Sequence, residues 1–155
     1  MTENTFRIVV DARELVKVTT GIGRFLRIFL KEIVRLKPKV HFILIGNQHT
    51  CFPDFININP QFFTTIVLNE RNTIWFDQIT ISSIINKEKA DLFFSPYYKK
   101  PFFFHKTPSI ISIFDLTYLV IKPYKDNIKS IYYIPYIRFN WVGWKIDFKR
   151  PKHTN

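Results

Sequence analysis

Five short apolar runs without polar alternation constrain this chain more than any other feature. They are "FRIVV" (Phe6 to Val10), "HFILIG" (His41 to Gly46), "FFTTIVL" (Phe62 to Leu68), "DLFFS" (Asp91 to Ser95) and "SIISIFD" (Ser109 to Asp115). A strand that is wet on one face alternates apolar with polar residues, whereas a strand covered on both faces reads as an unbroken run. Two helical stretches separate them. In "TTGIGRFLRIFLKEIVRL", Ile22, Phe25, Leu26, Phe29, Ile33 and Leu36 recur at helical spacing, with Arg24, Arg27, Lys31 and Arg35 on the other side. Thr19 or Thr20 can cap that helix and Pro38 stops it. Thr73 to Lys89 is helical by length, against the preference of its β-branched residues. Asn47 to Pro60 reads as a loop. Strands alternating with helices predict an α/β domain of Rossmann-like type, a parallel sheet with helices on both faces. The domain is expected over 1–133. The pattern is lost after Tyr133, and 134–155 forms an irregular basic and aromatic tail, as a truncated or frameshifted gene would leave.

Composition excludes several classes. At 155 residues the chain suits one domain with a real core. A single cysteine, Cys51, rules out an internal disulfide framework or a cysteine-rich metal site. His41 and His105 have no metal-ligand company in sequence, so a structural or solvated role is expected for both. "MTENTFRIVVD" lacks a basic start before an apolar run, and no apolar stretch is long enough to span a membrane. The expected compartment is the cytoplasm, with room for peripheral contact at the inner membrane face. The net charge is +11, and from Lys122 onward eight Lys or Arg stand against two acids, a net of +6. Such an excess suits nucleic acid, an anionic membrane surface or a phosphorylated ligand.

Gly21 and Gly23 are two of only four glycines and open the first predicted helix. The first amides of a helix point at its N-terminus without intrahelical partners, and residues lacking Cβ let an anion approach them. Thr20, Gly21, Gly23 and Arg24 are therefore a candidate phosphate or cleft loop, the plainer reading being a glycine-aided helix start. A dinucleotide fingerprint does not fit, because its third glycine would fall at Leu26; no Walker-type loop occurs. In an open parallel sheet ligands bind beyond the carboxyl ends of the strands. The glycine turn, "SPYYKKP" and "FDLTY" all fall at that edge. Ser95, Tyr97 and Tyr98 suit an acceptor pocket, since tyrosines stack on sugars and hydrogen-bond, or else they form a strand exit fixed by Pro96 and Pro101.

"IVVDARELVKVTTGIGRFLRIFLKEI", "DLFFSPYYKKP" and "IISIFDLTYLVIKPY", in that order, resemble the N-terminal domain of GT-B-fold retaining glycosyltransferases of family 4. The similarity covers about Phe6 to Tyr133; "TGIGR" and "DLTYL" are its most specific parts, and Trp75, Asp77 and Gln78 match a recurrent feature. The resemblance implies transfer of a sugar from a nucleotide-diphosphate donor to a glycan or lipid-linked acceptor, as in polysaccharide biosynthesis, with no metal or other cofactor. It implies an acceptor-holding role for this domain, acceptor contacts at Ser95, Tyr97, Tyr98, Phe114, Thr117 and Tyr118, and a cleft loop at Thr20, Gly21, Gly23 and Arg24.

Two departures accompany it. Phe114 stands where many relatives carry a histidine; it can pack on a sugar but cannot donate a hydrogen bond. Asp115 is the candidate catalytic residue, contacting the acceptor or capping its own turn. The donor-binding domain is missing from the sequence, so the chain alone is not expected to transfer sugar, and a separate donor domain is the implied partner. The alternative is a small basic module for an anionic membrane surface or nucleic acid, carried by the tail and by Tyr132, Tyr133, Tyr136, Trp141 and Trp144. No nucleic-acid motif supports the second of these partners.

Overall fold

A computed structural model of the chain describes residues 5–18, 20–36, 39–102 and 106–114, all within one unit, Met1–Phe114. Asp115, Thr117, Tyr118, Pro38, His105 and the expected boundary at 133 lie outside the described residues.

The five apolar runs form five strands: β1 (Phe6–Asp11), β2 (Val40–Asn47), β3 (Phe63–Leu68), β4 (Leu92–Ser95) and β5 (Ser109–Ile111). Every pairing is parallel, in the order β3-β2-β1-β4-β5. The fold is α/β and Rossmann-like. The unbroken runs have the cause inferred from sequence, since neighbouring residues of one strand bury on opposite faces. On one face Val10, Phe42, Leu44 and Phe94 pack with Leu26 and Leu30 of helix α1 (Gly21–Leu36) and Ile56 of α2 (Asp54–Asn57). On the other, Val9, Ile43, Ile45 and Phe93 pack with Phe76, Ile81, Ile84 and Ile85.

These last four belong to one continuous helical stretch after β3. It begins as α3 (Thr73–Trp75), widens into a π-turn (Phe76–Thr80) and ends as α4 (Ile81–Lys87). Asn72 caps its start, the side-chain carbonyl accepting from Trp75 N at 3.0 Å. Among the described residues no helix is long and apolar enough to cross a membrane.

Two sequence readings need correction. The loop from Asn47 to Pro60 contains α2, a single turn too short to show a period. The apolar stripe of α1 is also rotated from the one expected. Gly23, Leu26 and Leu30 are its buried residues, while Phe25, at 36 % exposed, and Leu36, at 69 %, face outward. Gly23 lies on the buried stripe because the β1–α1 loop passes so close that only a missing side chain leaves room.

Candidate functional site

The sheet order places the topological switch point between β1 and β4, which leave the centre of the sheet in opposite directions along the chain. Asp11 ends β1 and Ser95 ends β4, so the segments after them emerge side by side. Arg13, two residues past β1, is the hub of what forms there. Its Nε donates to Asp11 Oδ1 at 2.9 Å, and Nη2 donates to Asp11 Oδ2 at 2.6 Å and to Asp77 Oδ1 at 2.5 Å. Nη1 reaches Glu70 Oε1 at 3.2 Å, and the guanidinium lies 4.8 Å from the ring centroid of Phe76. Three carboxylates from three segments thus converge on one cation, with an aromatic face beneath it.

Each segment has a local reason for its position. Glu70, in the β3–α3 connection, accepts from Asn47 Nδ2 at 2.7 Å, and its own N–H donates to Gln48 Oε1 at 2.9 Å, which ties the ends of β2 and β3 together. Asp77 and Gln78 lie in the π-turn. A wider turn inserts a residue into the α-helical register, and such turns are frequent at functional sites. Here Phe76 lies against the Arg13 guanidinium, Asp77 meets both Arg13 and Lys99, and Gln78 reaches the β4–β5 loop. Lys99 Nζ stands 3.8 Å from Asp77 Oδ2, and Phe102 N donates to Gln78 Oε1 at 2.9 Å.

The electrostatics separate the two aspartates. Burial opposes ionisation of Asp11, yet the charge and hydrogen bonds of Arg13 outweigh it and hold the carboxyl below its ordinary range. Asp77, 1 % exposed, is pushed upward by burial, and Arg13 and Lys99 offset this only in part. Burial is likewise the largest influence on Glu70, but the Asn47 hydrogen bond and Arg13 draw it downward. Glu14 is raised by burial and by the nearby Asp11 charge. Arg13 stays protonated, since Asp11 and Asp77 overcome its burial.

The expected site residues divide between this edge and the interior. Thr20 is the cap of α1: its Oγ1 accepts from Gly23 N at 3.0 Å, its carbonyl accepts from Arg24 N at 2.9 Å, and the hydroxyl donates to Glu14 at 3.4 Å. The Gly21 and Ile22 amides have no acceptor among the described residues, and Arg24 is exposed. Gly21 has open space where a Cβ would stand, whereas a Cβ on Gly23 would collide with the Glu14 carbonyl oxygen. The two glycines therefore do different work. Ser95 is fully buried, its Oγ accepting from Tyr97 N at 3.3 Å. Tyr98 is buried and Tyr97 half-buried, their hydroxyls 2.6 Å apart and their ring centroids 3.9 Å apart. Lys99 Nζ lies 5.7 Å from the Tyr97 ring centroid. Phe114 is exposed and meets Phe25 edge-on at 5.0 Å.

Sequence reasoning missed Arg13, Asp11 and Glu70 as site residues. The available signal was an acid at the very end of an apolar strand with an arginine two residues on. The Arg13 donors are spent on carboxylates, and Asp11 and Asp77 are in turn buried around it. Among the described residues no group of three or more His, Cys, Asp or Glu side chains is arranged to hold a metal. Comparison of the chain with models of known protein families, with curated proteins and with solved structures gives no match.

Proposed function

We propose that this chain is the acceptor-side domain of a retaining glycosyltransferase of the GT-B, family 4 kind, working with a donor-binding domain that supplies the nucleotide-diphosphate sugar. One observation carries the reading. Asp77 joins Arg13, after β1, to Lys99, after β4, and so brings the glycine-bearing loop and the tyrosine-bearing loop to one place at the switch point. Tyr97, half-buried at this edge, supplies an aromatic face for an acceptor sugar. The Gly21 and Ile22 amides, at the positive end of α1, suit charge developing on a departing diphosphate. Asp115, Thr117 and Tyr118 belong to the proposal through the resemblance alone. One wall of a cleft supplies only part of the groups that transfer requires, so the domain by itself binds acceptor without turnover.

The test is an NMR titration of the 15N-labelled chain with a panel of free glycans, polyprenyl-linked sugars and nucleotide-diphosphate sugars. An acceptor that shifts the amides of residues 20–24 and 97–102 is the expected result. Shifts confined to other regions, or none with any panel member at millimolar concentration, would refute the acceptor role. Turnover of a nucleotide sugar by the pure chain would refute the one-wall account.

A further inference from the structure

Among the described residues the sheet ends at β3 on one side and at β5 on the other, and the two edges are built differently. β5 is three residues long and starts directly after Pro108, so it offers little to another strand. β3 runs for six residues in unbroken register with β2, and no charge, proline or glycine occurs from Phe62 to Asn69. Natural sheets blunt their edges with a lysine, a proline, a bulge or a very short strand. β3 has none of these.

The register identifies the groups that this edge leaves open. Phe42 N donates to Phe62 O at 2.7 Å, beside the Phe42–Phe63 pair. Main-chain polar groups point alternately to the two sides of a strand. Residues 62, 64, 66 and 68 therefore turn theirs to β2, and Phe63, Thr65 and Val67 turn theirs outward. The Phe63 N–H is taken up by Asn59 O at 3.2 Å. The N–H and C=O groups of Thr65 and Val67 have no partner among the described residues.

We infer that β3 pairs antiparallel with β3 of a second copy of this chain about a two-fold axis at Ile66, joining two five-stranded sheets into one. Thr65 then lies opposite the second copy's Val67 and exchanges two hydrogen bonds with it. Symmetry supplies two more, and all four open groups on each copy are satisfied. A two-fold axis one residue earlier, at Thr65, sets Val67 O against the Phe63 N–H that Asn59 already holds. The side chains suit the same register. Ile66 meets Ile66 across the axis, Thr64 faces Leu68, and Val67, 56 % exposed, gains a β-branched neighbour in Thr65. Because the stretch is uncharged, two chains of net charge +11 meet there without opposing cations. The interface is small, under about 1,200 Å², and belongs to the weak, reversible class. The switch point lies beyond β2, so this pairing does not use it and is independent of the proposed transferase role.

The experiment is sedimentation equilibrium of the full chain from about 10 µM to about 1 mM, the range in which weak pairings of this class form. Wild type is expected to rise from a mass of 18.6 kDa toward twice that value with concentration. Val67→Lys adds the charge that natural edges use against pairing and is expected to weaken association about ten-fold. Cysteines in a Cys51→Ser chain read the register. Thr65→Cys alone, or Val67→Cys alone, leaves like positions about 7–8 Å apart across the axis, too far for a disulfide. Mixing the two variants brings unlike positions to about 5.5 Å, and cross-linking in oxidised glutathione is expected in the mixture. Circular dichroism checks that the variants are folded, and the wild-type mass series stands without them. A wild-type chain that stays monomeric throughout overturns the inference. So does association that Val67→Lys leaves unchanged, which places the contact elsewhere, the basic tail included. A disulfide that forms as readily in either single variant as in the mixture overturns the pairing about Ile66.

Discussion

Replacing each glycine of the pair by alanine separates two explanations of the same motif. Helix propensity alone favours both changes, since alanine exceeds glycine by about 0.8–1 kcal/mol inside a helix. The surroundings of the two positions reverse the sign at one of them. At Gly21 a Cβ meets nothing within 4 Å. Gly21→Ala is therefore expected to be neutral or to stabilise by up to about 1 kcal/mol, mainly by restricting the unfolded chain. At Gly23 a Cβ collides with the carbonyl oxygen of Glu14, a backbone atom, and crowds Thr20 Oγ1 at 3.2 Å. That backbone is poorly placed to yield, because Cys51 N donates to Leu15 O at 2.6 Å and Val16 bridges to Thr50. Overpacking of this kind costs about 1–3 kcal/mol. Set against the propensity gain, it leaves Gly23→Ala about 0–2 kcal/mol less stable than wild type. The two variants should then differ by roughly 1.5 kcal/mol, or about 0.75 M in urea midpoint at the slopes usual for small domains. Equilibrium urea unfolding followed by circular dichroism measures this directly. A Gly23→Ala protein as stable as Gly21→Ala would show that the loop relaxes freely and that close approach does not explain this glycine.

Arg13→Leu strands the Asp11 and Asp77 carboxylates and is expected to cost about 3–5 kcal/mol at neutral pH. The loss shrinks below about pH 4, as the carboxylates protonate, and urea unfolding at the two pH values checks both points. Asp11 has a folded pKa below its ordinary value, so its contribution is present above about pH 4 and lost as pH falls further. Asp11→Asn should accordingly flatten the acid limb of the stability curve, whereas an unchanged slope would mean that Arg13 does not favour the charged form. Asp77 works in the opposite sense, its ionisation costing stability as pH rises through a raised pKa, so Asp77→Asn should leave that limb as steep or steeper. Gln78→Ala removes the acceptor of the Phe102 amide and should speed its hydrogen exchange, along with that of the neighbouring loop amides, measurably by mass spectrometry.

The strands were legible because burial on both faces writes itself as continuous Val, Ile, Leu and Phe. The Thr73–Lys89 helix was legible by its length, and Thr20 as a cap by residue type. The outward turn of Phe25 was not legible, because spacing defines a stripe only to within a residue. It took the passage of the β1–α1 loop beside Gly23 to fix which edge of the stripe is buried. Leu15 lies in what reads as a polar loop, yet it is buried because the segment after β2 folds over it. The Arg13 hub was hidden for a different reason. Its partners Glu70 and Asp77 are 57 and 64 residues away, a separation that no local period encodes. Nor does residue type distinguish a π-turn from an α-helix, so the rotation that aims Asp77 and Gln78 inward was invisible.

The strand order also sets a timetable. β1, β2 and β3 are contiguous in sequence and in space and can assemble once Leu68 has been made. β1 then presents an unpaired hydrophobic edge until Leu92–Ser95 arrives to cover it. At typical synthesis rates the interval is about 1–5 s. Within that interval Asp11, Arg13 and Asp77 have all been made, whereas Lys99 follows β4. Closing the sheet and adding Lys99 to the ion cluster therefore come last in synthesis, and a nascent chain that stalls before them carries a parallel-strand template open to pairing with its neighbours.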